Sequence, residues 1–202
     1  MTKVAVLLGS LRRPGSGIGI ASWLTPLVRQ GLCNAPCAST RSADVVFVDP
    51  TQPPLPLGPI VDGSHMPSDI RDPSKHPHPA VREWATFVAG CSGFVVLTPE
   101  YNGAYPGELK NTFDHLYWEW RNKPALIVSY GGSGGVLSAG MLKTLLGSKL
   151  KMQVTERAVN IKLPRGTGHV DPEKPPPDWL RAYEPAVLEV MEDLGRLINK
   201  AH

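Results

Sequence analysis

The chain has 202 residues, of which 42% are hydrophobic and 19% charged, and its formal net charge at pH 7 is +3. This balance is typical of a globular protein, and the length predicts a single domain over residues 1–202 with a sizeable core. The mild charge, without a Lys/Arg-rich run, argues against nucleic acid as a partner, and no apolar stretch approaches the roughly 20 residues needed to span a bilayer.

The N-terminus and the cysteines predict a cytoplasmic protein. The apolar run near the N-terminus is too short for a signal peptide and lacks a cleavage-type end. Three cysteines, Cys33, Cys37 and Cys91, give an odd number without the spacing or the neighbouring histidines of a zinc site. We therefore expect reduced thiols and no metal site.

Short apolar runs alternate with amphipathic segments along the chain. The predicted strands cover residues 4–8, 43–48, 94–97, 125–129 and 153–158, the last with an extension through residue 163. The predicted helices cover residues 18–32, 79–89, 107–118, a segment that ends near residue 146, and 178–199. Pro26 and Pro185 each predict a kink or a helix boundary.

Two proline clusters separate these elements. Residues 49–79 form a connection that is long for a compact domain, and they predict either a disordered loop or an ordered crossing that covers a site or a partner subunit. The histidines in this segment, His65, His76 and His78, are expected to be solvated. The second cluster, residues 172–177, predicts a linker, so that residues 171–202 form a linker and a C-terminal helix.

The alternation of strands and helices predicts a parallel sheet with helices on both faces. Right-handed crossovers and five strands favour a flavodoxin-like, doubly wound α/β fold with strand order 2-1-3-4-5. In this order the carboxyl ends of strands 1, 3 and 4 lie side by side, where open α/β sheets bind ligands.

Unusual loops follow those three strands. Residues 9–17 place Ser10, Arg12, Arg13 and Ser16 among glycines, which is typical of an anion site at a helix N-terminus, although a tight packing turn is the alternative. Residues 98–111 carry a Tyr and an Asn on a loop stiffened by prolines. Residues 129–135 are rich in glycine, which lets the backbone approach a flat ligand. An anion pocket beside a flat polar ring fits FMN.

Other motifs are weaker. The first loop matches neither a nucleoside-triphosphate P-loop nor a clean dinucleotide fingerprint. Residues 131–135 match G-x-S-x-G, the nucleophile elbow of hydrolases. However, the downstream pair His169 and Asp171 comes in the wrong order for that family, which disfavours a hydrolase.

The combination of these motifs is more specific than any one loop. The matching residues are Gly9-Ser10-Leu11-Arg12, Pro99-Glu100-Tyr101-Asn102, Pro106-Gly107, Leu109-Lys110-Asn111, Asp114, Leu116-Tyr117, Glu119-Trp120, Lys123-Pro124-Ala125, Ser129-Tyr130-Gly131-Gly132 and Gly134-Gly135. On these residues the chain resembles the NAD(P)H-dependent FMN reductase and quinone reductase family, a flavodoxin-like group, and above all its fungal members. The resemblance covers roughly residues 3–165.

The resemblance implies a site for FMN and a homodimer with each flavin near the subunit interface. Ser10 and Arg12 would bind the phosphate. Residues of the second loop, namely Pro99, Glu100, Tyr101 and Asn102, would line the ring. Residues of the third loop, namely Ser129, Tyr130, Gly131 and Gly132, would lie against its pyrimidine edge.

Two positions depart from the family pattern. The Asn that many members place at the helix start is missing, and we expect Ser16 to replace its contact. The His of the family's S-Y-G-G-H-G-G form is Ser133 here.

The implied activity is an oxidoreductase that passes two electrons from NADPH or NADH through FMN to quinones, azo compounds, ferric chelates or free flavin. The reaction requires no side chain as a catalytic acid or base, because the cofactor supplies the chemistry. Tyr101 and Asn102 are the expected contacts to ring and substrate, and Arg12 or Arg13 could contact a second phosphate. The sequence does not separate NADH from NADPH.

Two further hypotheses remain open. The first is a flavodoxin-like electron carrier or sensor without turnover, although carriers usually present acidic surfaces and this chain carries a charge of +3. The second is a flavin-free interaction protein.

Overall fold

The strands form one sheet in which all pairs are parallel. The computed structural model describes residues 2–34, 43–58, 65–166 and 168–201. The strands are β1 (Thr2–Leu8), β2 (Ala43–Val48), β3 (Gly93–Pro99), β4 (Pro124–Gly131), β5 (Gln153–Val154) and β6 (Val159–Lys162). Their order is β2-β1-β3-β4-β5, and β6 also pairs with β4.

The last two strands act as one interrupted strand. β5 pairs with residues 124–125 of β4, and β6 pairs with residues 128–131 of the same strand. They therefore follow one another along a single edge of β4. The flavodoxin-like order 2-1-3-4-5 predicted from the sequence is confirmed.

Helices cover both faces of the sheet. They are α1 (Ser16–Asn34), α2 (Pro79–Ala89), α3 (Gly107–Asp114), α4 (Val136–Lys143), α5 (Asp178–Arg181) and α6 (Glu184–Ala201). One core layer packs α1 and α6 on the sheet, and the other packs α2, α3 and α4. Along β1, Val4, Val6 and Leu8 enter the first layer while Ala5 and Leu7 enter the second, as the period of a strand requires. Among the described residues, no helix is long and apolar enough to cross a membrane.

The two helix prolines behave differently. Helix α1 continues through Pro26, so the alternative of a break there is wrong; the buried side chains of Trp23, Leu24, Leu27 and Val28 hold the helix on the sheet despite the missing amide hydrogen. Pro185 lies in the first turn of α6 and marks its start, as predicted.

The helix predicted over residues 107–118 is shorter in the structure. It ends at Asp114, and a 3₁₀ turn, Trp118–Trp120, follows. Trp120 is fully buried and packs edge-to-face on Phe113 and Phe94, with ring centroids 5.0 and 5.1 Å apart. The chain leaves the helical path because this ring enters the core.

The proline-rich segment is an ordered crossing where the structure describes it, and the prediction of a solvated His76 is wrong. His76 Nε2 lies 2.9 Å from Glu119 Oε1, and both side chains are 1% exposed. Nearby, the indole of Trp118 donates to the Ser68 carbonyl at 2.8 Å. The sequence concealed this pairing because the partners lie 43 residues apart. His78 is exposed, as expected.

Candidate functional site

A cleft of about 210 Å³ opens at the carboxyl ends of β1, β3 and β4. The strand register brings these ends together, since Leu8 pairs with Leu97 and Pro99 pairs with Tyr130. The cleft is lined by Ser10, Arg12, Pro14, Gly15, Ser16, Gly17, Pro99, Glu100, Tyr101, Tyr130, Gly131, Leu163 and His169. Most of the predicted cofactor-binding residues thus meet in one place, and Asn102, Ser129 and Gly132 are the predicted residues outside this lining.

One side of the cleft is built for an anion. Gly15, Ser16 and Gly17 line it where α1 begins. The first amides of a helix have no carbonyl four residues earlier to bond, and they form the positive end of its dipole. No acidic residue occupies the first turn of α1. This helix start can therefore bind a phosphate.

The loop before α1 is fixed by Ser10, whose side chain is buried. Its Oγ accepts a hydrogen bond from the Arg12 amide at 3.2 Å and lies 2.7 Å from the hydroxyl of Tyr101. Because Tyr101 belongs to the loop after β3, this contact joins the two loops that the phosphate and the ring would use.

The two arginines of the loop have different partners. The Arg12 guanidinium lies 4.0 Å from the centroid of the Tyr101 ring, a cation–π geometry, and lines the cleft. Arg13 instead donates to Asp49 Oδ1 at 2.8 Å and to the carbonyl of Arg12 at 2.9 Å. Arg12 is therefore the arginine placed to bind a ligand, and Arg13 holds the loop.

The carboxyl group of Asp49 completes this arrangement. Burial acts to raise its pKa, but hydrogen bonds from the amide and hydroxyl of Thr51 and from Arg13 outweigh burial, so the pKa lies below its usual value. Asp49 consequently stays ionised at neutral pH and keeps Arg13 in position.

The loop after β3 contains a tight two-residue turn. Tyr101 and Ala104 exchange backbone hydrogen bonds of 2.8 and 3.1 Å, and Asn102 and Gly103 between them have φ angles of 53° and 80°. Positive φ at both central positions is typical of a type I′ turn, for which Asn-Gly is the preferred pair. The Asn-Gly sequence is thus explained by the backbone conformation of the turn. The side chain of Asn102 is exposed beside the cleft.

Glu100 connects the same loop to α4. Its Oε2 accepts hydrogen bonds from the amides of Leu137 (3.1 Å) and Ser138 (3.5 Å) in the first turn of that helix. A carboxylate stabilises this end of a helix. Glu100 lines the cleft, and its carboxylate already accepts hydrogen bonds from the first turn of α4.

The glycine loop after β4 forms the third wall. Ser129 is fully buried, and its Oγ lies 2.7 Å from the carbonyl of Gly134 and 2.7 Å from Asn160 Oδ1, so its side chain fixes the loop. A Cβ on Gly132 would meet no atom within 4 Å. The protein's own packing does not require glycine there, which is consistent with room kept for a ligand.

Tyr130 extends into the cleft from β4. Its hydroxyl oxygen would collide with a Cβ on Gly17, so glycine is required at that point of α1. Burial raises the pKa of Tyr130, and the neighbouring Tyr101 raises it further. The phenol therefore remains neutral and available as a hydrogen-bond donor at physiological pH.

Two lining residues were not among the predicted site residues. Leu163 follows β6 directly, and His169 belongs to the segment that crosses the start of α1. There the carbonyl of Val170 lies against Gly19, and the Val170 amide lies 3.5 Å from Ser16 Oγ. This crossing joins regions far apart in the chain, which periodicity cannot reveal. No group of three potential metal ligands occurs in the described part of the chain.

The fold and the cleft define a flavodoxin-like flavoprotein. The family model described as NADPH-dependent FMN reductase matches residues 2–163. The chain belongs to this family and is an oxidoreductase.

Relatives agree with this assignment. The chain is 38% identical over 173 residues to an NAD(P)H-dependent FMN reductase of Schizosaccharomyces pombe (84% of this chain, 79% of that one). It is 35% identical over 165 residues to another of Saccharomyces cerevisiae (82% and 83%). A 2-hydroxy-1,4-benzoquinone reductase of a Burkholderia species is 27% identical over 147 residues (71% and 64%). The predicted resemblance to fungal members and to quinone reductases is confirmed.

A solved structure shares the fold. It is the flavoenzyme NAD(P)H:(acceptor) oxidoreductase FerB of Paracoccus denitrificans, with a TM-score of 0.63 and 19% identity, and the match covers 99% of this chain and 98% of that one. At this identity the likeness supports the fold alone.

The residues of the cleft fit FMN, the cofactor of the family. The phosphate matches the open amides of α1 together with Ser10, Ser16 and Arg12. A flat ring matches the space between Tyr101 and Gly131 of the glycine loop, which both line the cleft.

Proposed function

We propose that the protein is an NAD(P)H oxidoreductase whose bound FMN reduces quinones, with azo compounds, ferric chelates and free flavin as further acceptors. The observation that carries the proposal is the meeting, in one cleft, of the anion site at α1 with the Tyr101 loop and the glycine loop. Bound FMN would supply the redox chemistry, namely acceptance of a hydride from the nicotinamide and transfer of two electrons to the acceptor.

The protein's part in this reaction is binding and orientation. Ser10, Ser16 and Arg12 would bind the phosphate, and Pro99, Glu100 and Tyr101 would line the ring on one side. Backbone amides of residues 129–132 would lie at its other edge and would stabilise negative charge there. No side chain of the cleft is required as an acid or a base, because protons exchange with solvent at an open site.

Absorbance and rapid kinetics test this function. The purified protein should be yellow and contain about one FMN per chain. NADPH or NADH should bleach the flavin absorbance in a stopped-flow experiment, and a quinone should restore it over many turnovers. Bleaching without reoxidation by a quinone would instead support the electron-carrier alternative. A colourless protein that cannot be reconstituted with FMN would exclude both.

We further propose a homodimer formed through α4. Val136, Leu137 and Met141 are 54%, 61% and 50% exposed, which is unusual for large apolar side chains on one short helix. Leu137 also lies beside Gly103 of the ring-side turn, so a partner on this face would border the cleft. Light scattering after gel filtration should give a dimer for the wild type and a monomer for Leu137→Glu. Met66→Glu, at a site 67% exposed, is the control.

The cytoplasm is the proposed location. Cys33 and Cys91 are free thiols in the structure, which is consistent with a reducing compartment. Fluorescence microscopy of the tagged full chain in its host would test this location.

A further inference from the structure

A second cleft, of about 730 Å³, lies on the other side of the glycine loop. It is lined by Gly132, Ser133, residues 162–165, Trp179 and Tyr183. It shares Leu163 with the first cleft, and the consecutive residues Gly131 and Gly132 line the first and the second cleft respectively. A ligand in the second cleft would therefore be separated from the FMN site only by the width of this loop.

The charge of the second cleft is positive. Its charged lining residues are Lys162 and Arg165, and no Asp or Glu is among those that line it. Within residues 2–34, 43–58, 65–166 and 168–201, neither cation forms an ion pair. Both side chains are exposed. The cleft thus offers two exposed cations to an anionic ligand.

Two aromatic residues also line the second cleft, and other parts of the protein hold them in place. Trp179 of α5 is half-buried and packs against the core layer of α1 and α6. The hydroxyl of Tyr183 accepts a hydrogen bond of 3.0 Å from the Lys162 amide, which fixes the end of β6 beside the ring. Flat apolar faces next to cations match a ligand that combines phosphates with an aromatic base.

We propose that the second cleft binds the adenosine diphosphate half of the nicotinamide donor. Its volume is within the range of about 300–1,000 Å³ usual for small-molecule sites. The first cleft offers one arginine, Arg12, and its anion site is taken by the FMN phosphate. The matched family region ends at residue 163, so Arg165, Trp179 and Tyr183 lie beyond it. The donor site is thus built largely by the C-terminal part of this chain. This inference rests on the proposed reductase function.

A non-reducible probe tests the site independently of turnover. ADP-ribose, titrated calorimetrically into the FMN-loaded protein, should bind, and the double variant Lys162→Ala/Arg165→Ala should weaken binding by about tenfold or more, since two charge-assisted contacts are lost. The matched control is Lys149→Ala/Lys200→Ala, which removes two exposed cations elsewhere. The FMN content of both variants should equal that of the wild type. The same titration with 2′-phospho-ADP-ribose shows whether the extra phosphate of NADPH is preferred.

Rapid kinetics give the second measurement. The donor concentration that half-saturates flavin bleaching should rise about tenfold in the Lys162/Arg165 variant, with the limiting rate little changed, because the lost contacts bind ground and transition states alike. Unchanged donor saturation would overturn the proposal, as would a variant that shifts only the KM of an anionic acceptor such as a sulfonated azo dye. If NAD(P)H does not bleach the flavin of the wild-type protein, the proposed reductase function is refuted. The ADP-ribose titration tests the second cleft separately, because it requires no electron transfer.

Discussion

The hydroxyl of Ser10 lies 2.7 Å from the hydroxyl of Tyr101, across the boundary between the loops after β1 and β3. Arg12 strengthens the same junction, because its guanidinium lies over the ring of Tyr101. These two contacts consequently connect the phosphate side of the cleft to the ring side. A substitution on either side should therefore change the affinity of the protein for FMN.

Two substitutions separate the parts of this junction. Tyr101→Phe keeps the ring beneath Arg12 and removes one hydrogen bond, so the Kd for FMN should rise by about fivefold. Arg12→Ala removes a charge-assisted phosphate contact and the cation–π pair, and the Kd should rise by about tenfold or more. Fluorescence quenching of FMN during titration of the apoprotein measures both. Arg29→Ala, towards the other end of α1, is the control, and unchanged affinity in Arg12→Ala would refute the phosphate assignment.

Helix α1 approaches the C-terminal segment at Gly19. A Cβ there would collide with the backbone carbonyl of Val170, so Gly19→Ala should destabilise the protein by about 1–3 kcal/mol although alanine favours helices. Gly140→Ala in α4 meets no atom within 4 Å and should stabilise by up to about 1 kcal/mol. Urea unfolding of the two variants compares them directly. Equal effects would show that the segment around Val170 does not pack on α1.

The buried pair of His76 and Glu119 anchors the proline-rich crossing. His76→Ala removes a hydrogen-bond partner of the buried Glu119 carboxyl, which keeps the hydrogen bond from the Tyr117 amide, and the loss of such a partner should cost about 1–3 kcal/mol. His78→Ala, two residues away and exposed, should change stability by less than about 0.5 kcal/mol. Thermal and urea unfolding measure both, and similar values for the two variants would contradict the anchoring role.

Local pattern sufficed for much of the fold. The alternation of apolar runs with amphipathic helices predicted the sheet order, because buried parallel strands and their crossovers are encoded in short windows. The sheet order also predicted that the Ser/Arg loop and the glycine-rich loop lie close together, because the carboxyl ends of neighbouring parallel strands meet at one edge of the sheet. Ser10, Arg12 and Tyr130 line one cleft as that logic requires.

Contacts distant in the chain were beyond such reasoning. The partner of His76 comes 43 residues later, and nothing in the proline-rich composition marks it. His169 reaches the cleft because an irregular segment crosses α1, and the same return of the chain adds Trp179 to the cleft that Lys162 and Arg165 line. Asn102 is a different case. Its polar side chain predicted a contact to the ring, but the left-handed backbone conformation of the turn is enough to explain an Asn at this position.

Asp49 gives the stability a dependence on acid pH. Its pKa in the folded protein lies below the ordinary value of 3.8, so its stabilisation is present above that value and is lost as the pH falls through the folded pKa. Asp49→Asn should therefore be less stable than the wild type at about pH 7, with the difference shrinking below about pH 4. Urea unfolding across this range is the measurement. A difference that persists unchanged at about pH 2 would mean that the charge of Asp49 is not the cause.

Cys91 should be an unreactive thiol. Burial raises its pKa from the ordinary 9.0 to about 11, and its Sγ lies 3.3 Å from the carbonyl of Phe87 as a hydrogen-bond donor. Each unit of pKa above the ambient pH lowers the thiolate fraction tenfold, so at about pH 8 this shift leaves about a hundredth of the thiolate of an unperturbed cysteine. Cys33, in contrast, is exposed to solvent.

Labelling with a thiol reagent that releases a coloured product checks this difference. Cys37 lies outside the described residues, so the variant Cys33→Ser/Cys37→Ser isolates the thiol of Cys91. In the folded variant at about pH 8, the labelling rate should be about a hundredfold or more below that in urea, because burial also blocks access. The folded rate should rise as the pH increases towards 11, since the thiolate then forms. Rapid labelling at pH 8 in the folded state would show that the core around Cys91 opens to solvent.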